Sequence, residues 1–440
     1  MSNAGRILVI LVIVILTFSP LGVPLQARGE PKPQVKPSAV LGATEEILAE
    51  VGVLRGLEVL HPVKADLQSR AQIEHSLVED MNEKMTPEEF EAEAKALTML
   101  GLIPKDFKLR DFLIRLLTEQ IAGYYRPKTK MLYLADWLAL DEQRTVMVHE
   151  LMHALQDQHF SLERFEEPPK GESDRDLAIH ALIEGEATAV MVNYLLKPYK
   201  LDIARVPVPI SALFEQMQET GDDRSELLRA APPAIRETLL FPYTQGTQFV
   251  QHLLRETSWA RVSDAYKNPP ESTEQILHPE RFVSRDEPKS VRLAPLEPVL
   301  GDGWKQRLSD VNGEFGYLVV LAEYIDGEAA RRAAEGWDGD RLALYENNQT
   351  GTLLLTHLST WDSVADAVEF TTAYAKRIRH RYAKVTEISG KRAVARIWKT
   401  AEGLAYLERR GSDVLVIETN GKLEQVRIKA VSKMLWNDQH

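Results

Sequence analysis

The sequence contains no cysteine, which excludes disulfides, thiolate-bound zinc and a cysteine nucleophile together. Any metal must therefore sit on nitrogen and oxygen ligands. Basic residues are also in deficit: Lys and Arg number 53 against 65 Asp and Glu, for a net charge of -12. No nucleic-acid partner is expected, because such proteins carry a basic footprint that neutralises phosphates. Long apolar runs are missing too, with one exception. Arg6 precedes an apolar stretch from Ile7 to Phe18 that Ser19 and Pro20 break, shorter than the roughly 20 residues of a membrane-spanning helix. This layout predicts a secretory signal over residues 1–27 and an exported, extracytoplasmic location, periplasmic or secreted. Membrane contact is expected only if that segment stays uncleaved as an anchor, and without cysteine the anchor cannot be a lipoprotein one.

The 440 residues are 44% hydrophobic, enough for two ordinary domains. Residues 28–39 are rich in Pro and charge and read as a linker. From Val40 to about Leu117 apolar residues recur at spacings of three and four, which predicts helices, one opened by a Thr86/Glu89 capping box. Tyr124-Tyr125 and Met131–Leu134 flank the turn-prone Arg126–Thr129 and predict a β-hairpin. Past residue 290 two helical patterns mix with apolar strand patterns such as "GTLLLTHLS" and "DVLVIETN". The expected class is α+β: a mainly helical domain over 40–290 with a small β-hairpin or sheet, then a smaller α+β domain over 291–440. Trp337–Arg341 reads as an acidic, glycine-containing turn in the latter.

The densest chemistry lies in "VMVHELMHALQDQHF". Asp141 is a candidate N-cap, and Val148, Leu151, Met152 and Leu155 form a buried helical stripe. His149 and His153 fall one turn apart on a neighbouring face, so two imidazoles can reach one tetrahedral ion. Glu150, rotated by about 100°, can reach a water beside that ion without binding it. This is HExxH, a zinc-peptidase pattern; the bland alternative is a helix with two incidental histidines.

Two residues compete as third ligand. His159 has the metzincin spacing, but Gln156 stands where that pattern has its turning glycine. If the helix continues, His159 lies about 9 Å further along the axis than His153 and cannot share its ion. The better candidate is Glu184 in "SDRDLAIHALIEGEATAVMVNYLL", a second helix with Ser173 and Asp176 as a capping box. Gly185 at its middle predicts a closely packed backbone, with the HExxH helix as the expected neighbour.

"HELMH" followed by a helix carrying "EGEA" resembles the gluzincin-type zincin metallopeptidases, and "HELMHALQDQHF" with "ALIEGEAT" is similar to exported bacterial proteins predicted to be peptidases. The resemblance implies a zincin-like fold, one zinc on His149, His153 and Glu184, Glu150 as general base, and a peptide or protein substrate. Several gluzincins place an aspartate where this chain has Thr188, so the partner orienting the first histidine is unassigned. A tetrahedral intermediate also needs an oxyanion donor. His278 is the favoured candidate as a second catalytic residue, ahead of Tyr243 and His252. The strand "KMLYLAD" is expected to offer a sheet edge to substrate. The alternative class is a zincin-like binding or envelope-assembly protein with a non-catalytic metal. A di-iron bundle would need a second ExxH motif, which the helix carrying Glu184 lacks.

Overall fold

The computed structural model describes residues 37–166, 169–206, 226–389, 395–421, 423 and 425–437. The signal segment and most of the linker lie outside the described residues. Among the described residues no helix is long and apolar enough to cross a membrane.

The chain is α+β. Its first part runs α1 (Pro37–Arg55), β1 (Lys64–Gln68), α2 (Arg70–Lys84), α3 (Pro87–Leu100), α4 (Leu109–Gln120), β2 (Gly123–Arg126), β3 (Met131–Ala135), α5 (Leu140–Phe160) and α6 (Ser173–Leu196). Then follow α7 (Glu226–Ala230), α8 (Pro233–Glu256), α9 (Trp259–Lys267), α10 (Thr273–Leu277) and α11 (Pro279–Ser284). The capping box at Thr86 forms as expected, Thr86 Oγ1 accepting from Glu89 N and Glu89 Oε2 from Thr86 N. The hairpin β2–β3 also forms, but β1 joins it in parallel and makes the order β1-β3-β2. The strand expected at an edge, Met131–Ala135, is therefore the central one, and β2 is an edge. β1 escaped the sequence pattern because "KADLQ" is charged and mostly half-exposed, without the apolar alternation that marks a strand.

Two helix starts also differ from expectation. α5 begins one residue before Asp141, with the Glu142 carboxylate accepting from Ala139 N at 3.1 Å. At α6 no Ser173 cap forms, because its hydroxyl donates to Asp310 at 2.6 Å instead. That tertiary acceptor wins over the local one.

The C-terminal part adds α12 (Glu297–Leu300), β4 (Trp304–Asp310), α13 (Gly313–Ala322), α14 (Gly327–Ala334), β5 (Trp337–Asn347), β6 (Leu353–Trp361), α15 (Val364–Arg381), β7 (Val385–Glu387), β8 (Ala395–Thr400), β9 (Leu404–Arg410), β10 (Asp413–Asn420) and α16 (Gln425–Asn437). Its strands form an antiparallel sheet in the order β4-β5-β6-β10-β9-β8-β7. Successive side chains point to opposite faces, and both faces are covered. Leu342, Leu344, Val414 and Val416 join a core with α3, α4, α13 and α15. Ala343, Tyr345, Leu415 and Ile417 join one with α12 and α16. Trp337–Arg341 is not a turn: it opens β5, with a bulge by Gly339. Asp340 accepts there from the N–H groups of Asn312 and Gly313 and from Trp337 Nε1, each at 3.0 Å.

Candidate metal centre

α5 is buried along most of its length because it packs between α1, the small sheet and α6. Met147, Val148, Leu151, Met152 and Leu155 share one core with Val40, Ile47 and Val51 of α1, Tyr125, Leu132 and Leu134 of the sheet, and Ala187, Val190 and Met191 of α6. Packing α5 on α6 turns the adjacent polar faces of the two helices toward each other. His149, His153 and Glu184 meet there, all buried. His149 Nε2 lies 3.0 Å from Glu184 Oε2 and 3.1 Å from His153 Nε2, and His153 Nε2 lies 3.4 Å from the same carboxylate oxygen. Tetrahedral bonds of 2.0–2.1 Å put ligand atoms about 3.3 Å apart. The three donor atoms thus already stand at the separation that one small divalent cation imposes. Two imidazole nitrogens aimed at each other at 3.1 Å also need something positive between them, which fits a metal better than a hydrogen-bond network alone.

The electrostatics agree. Burial pulls His149 below its ordinary range. Burial acts the same way on His153, but the Glu184 carboxylate outweighs it and raises that group to about 9. Burial by itself would raise Glu184, yet His153 and His149 hold it well below the usual carboxylate range. The trio is a carboxylate that holds positive charge beside it, and a bound cation would supply that charge directly.

Glu150 lies one residue along α5 from His149. Its Oε2 accepts from Tyr125 N at 2.6 Å, while Oε1 is buried with no hydrogen-bond partner among the described residues. Burial raises this carboxyl to about 8. α5 continues through Phe160 and ends on a left-handed Ser161. His159 therefore points elsewhere, and its Nε2 donates to the Glu58 carbonyl at 2.7 Å.

Gly185 does mark a close approach, but its neighbour is α8 and not the HExxH helix. A Cβ there would lie 2.2 Å from Gly246 C, and one on Gly246 would lie 2.1 Å from Ala181 O. α6 is therefore clamped between α5 on one face and α8 on another. The same α8 carries Tyr243, whose ring centroid is 6.1 Å from that of His149. His252, further along α8, pairs with Glu256 at 3.2 Å. His278 is not brought to the cluster: its Nε2 bonds Glu314 at 2.9 Å, and that carboxylate raises it. The helix before it, α10, is held by Thr273 on Asp174, about 15 Å along α6 from Glu184.

Several supporting residues were missed by sequence reasoning. Gln156 Oε1 accepts from His153 Nδ1 at 2.7 Å, and its Nε2 lies 2.9 Å from Ile183 O and 2.8 Å from Glu186 Oε2. Glu186 in turn meets Arg55 and Tyr266. Gln156 had a signal, since it stands three residues after His153 on the same helix face. Arg55 and Tyr266 had none, being far away in the chain. His149 Nδ1 and Thr188 Oγ1 are buried with no hydrogen-bond partner among the described residues, so Thr188 does not replace the orienting aspartate.

Residues 104–196 match the peptidase M78 family, through its model described as the IrrE N-terminal-like domain. The stretch runs from just before α4 to the end of α6 and contains both helices of the His149, His153, Glu184 cluster. The peptidase M78 match is to a zincin-like metallopeptidase family, and with the His149, His153, Glu184 cluster it supports a zincin-like metallopeptidase in general. Residues 301–427 match a second model, described as Domain of unknown function (DUF8575). No curated protein and no solved structure matches the chain.

Proposed function

We propose that the chain is an exported zinc-dependent peptidase that takes one zinc on His149, His153 and Glu184 and cleaves a peptide or protein substrate with Glu150 as general base. The observation that carries this is the placement of Glu150 Oε1, without a hydrogen-bond partner among the described residues, one residue from a trio with tetrahedral spacing. Bound zinc supplies a positive centre that acidifies water and polarises a carbonyl. Glu150 then does the proton work: Oε1 takes the proton of the attacking water and passes it to the leaving amine, while Tyr125 N–H holds Oε2 and sets the carboxylate's rotation. A purely structural metal has no use for such a group. Tyr243 serves better than His278 as the oxyanion donor, because its ring lies beside His149 whereas His278 is engaged by Glu314.

A non-catalytic metal site in a binding or envelope-assembly protein is the second reading, favoured by the full burial of both histidines and of Glu150. Metal analysis of the purified chain and of Glu150→Gln, with a casein-type or mixed-peptide hydrolysis assay, separates the two. We expect about one zinc in each protein and a 10²–10⁴-fold loss of turnover in the variant. A wild-type chain that takes up no zinc, or Glu150→Gln hydrolysing at the wild-type rate, would overturn the proposal.

A further inference from the structure

We propose that Gln156 is the positioning residue of His153, and that helix α1 holds it in place through Arg55 and Glu186, so that α1 is a working part of the metal centre. The inference rests on the zinc-site reading above and adds to it a relay across three helices.

The amide has only one workable orientation. With its oxygen toward His153 Nδ1 at 2.7 Å, its nitrogen faces three oxygens: Ile183 O, Glu186 Oε2 and the Tyr266 hydroxyl, at 2.9, 2.8 and 2.8 Å. Flipped, the amide oxygen would confront a carbonyl and a carboxylate, both acceptors only. An amide oxygen can only accept, so the proton of a neutral His153 sits on Nδ1 and the Nε2 lone pair points at His149 and Glu184. That tautomer is the one a metal requires.

Glu186 fixes the amide from behind. Its Oε2 also accepts from Tyr266 OH at 2.5 Å, and its other oxygen is paired with Arg55 Nε. Arg55 is 1% exposed, donates from Nη2 to Ser263 Oγ at 2.8 Å and lies 4.7 Å over the Trp259 ring. A carboxylate this buried is tolerated only while it is paired; removing one partner of such a pair costs far more than the pair contributes. Arg55 is the last residue of α1, whose Ile47 and Val51 pack in the core that also holds Leu151 and Leu155. α1 is thus tied to the second histidine by charge, hydrogen bond and core.

The test is zinc affinity, measured by competition with a chromophoric chelator on the full mature chain without substrate. Gln156→Leu is expected to weaken zinc binding 10–100-fold, the usual effect of losing a group that orients a metal-bound histidine. Should that variant not fold, Gln156→Met is closer in shape and carries the same expectation. Arg55→Met alone strands the Glu186 charge and is expected to weaken zinc binding at least 10-fold. Arg55→Met with Glu186→Gln removes both charges, keeps an acceptor for Gln156, and is expected to recover most of that loss, which a merely structural defect would not do. Wild-type chain without zinc affinity would sink the function and the relay together. Normal wild-type binding with unchanged affinity in Gln156→Leu, or no recovery in the double variant, would sink the relay alone.

Discussion

Gly185→Ala is the substitution for which the structure gives the firmest magnitude. The added methyl would stand 2.2 Å from Gly246 C, 2.3 Å from its oxygen and 2.7 Å from Thr247 N. Carbon contacts with ordinary partners begin near 3.4 Å, so α6 and α8 must separate by about 1 Å. The obstacle is backbone on both sides, and no side chain can swing away. Overpacking of this kind costs ~1–3 kcal/mol, and the upper end applies where backbone must move. Alanine returns about 1 kcal/mol through its better helix propensity. The net loss is about 2 kcal/mol, or a melting temperature lower by roughly 4–8 °C at the 2–4 °C per kcal/mol of a domain of 150–250 residues. Glu184 is the preceding residue and faces the histidines, so the displacement also reaches the proposed metal ligands. We expect thermal unfolding of the metal-free protein by circular dichroism to show the shift, and added zinc to stabilise the variant less than the wild type. Gly246→Ala should cost a similar amount, and the double variant less than the sum, since one separation relieves both clashes. A Gly185→Ala protein that melts at or above the wild-type temperature would refute the close approach.

Two other predictions concern the ligand set and an acid-sensitive core. Glu184→Ala should abolish most zinc uptake in metal analysis, whereas His159→Ala, which loses a bond to the Glu58 carbonyl, should leave zinc content unchanged; the reverse pattern would make His159 the ligand. In the C-terminal part Glu418 accepts from Arg377, Arg381, Tyr374 and Tyr382, and although burial opposes it, the two arginines lower its carboxyl from 4.5 to about 2. A depressed folded value means stability that is complete above about 4.5 and lost as pH falls toward 2. Glu418→Gln should therefore melt several degrees lower at pH 7, and the gap to wild type should narrow through that acid window; a constant gap would contradict the assignment.

The elements that could be read in the sequence were those whose pattern is local. The period of α5 and α6, the Thr86 capping box and the β2–β3 hairpin depend on neighbours within a few residues, and all formed. β1 and the true order of the small sheet did not show, because parallel pairing of Lys64–Gln68 with Met131–Ala135 joins segments far apart in the chain and needs no apolar alternation in β1. Trp337–Arg341 misled for a related reason. Its glycine and aspartates suggest a turn, but Gly339 sits at a bulge and Asp340 caps the start of α13, roles set by a partner element and not by the pentapeptide.

The site divides along the same line. His149, Glu150 and His153 are placed by one helix, so their mutual geometry follows from the spacing. Glu184 follows once two helices are assumed to pack by their polar faces. What holds these groups follows from neither. Gly185 signals a close backbone, yet a single glycine cannot name which backbone; α8 was the answer because Gly246 offers the matching gap. Likewise, Gln156 breaks the metzincin pattern when read as a missing glycine. In the fold it has a positive role, bonding the very histidine that precedes it by three residues. A departure from a motif can thus be a different solution to the same demand: His153 needs a fixed tautomer, and here an amide backed by a buried carboxylate and an arginine from α1 supplies it.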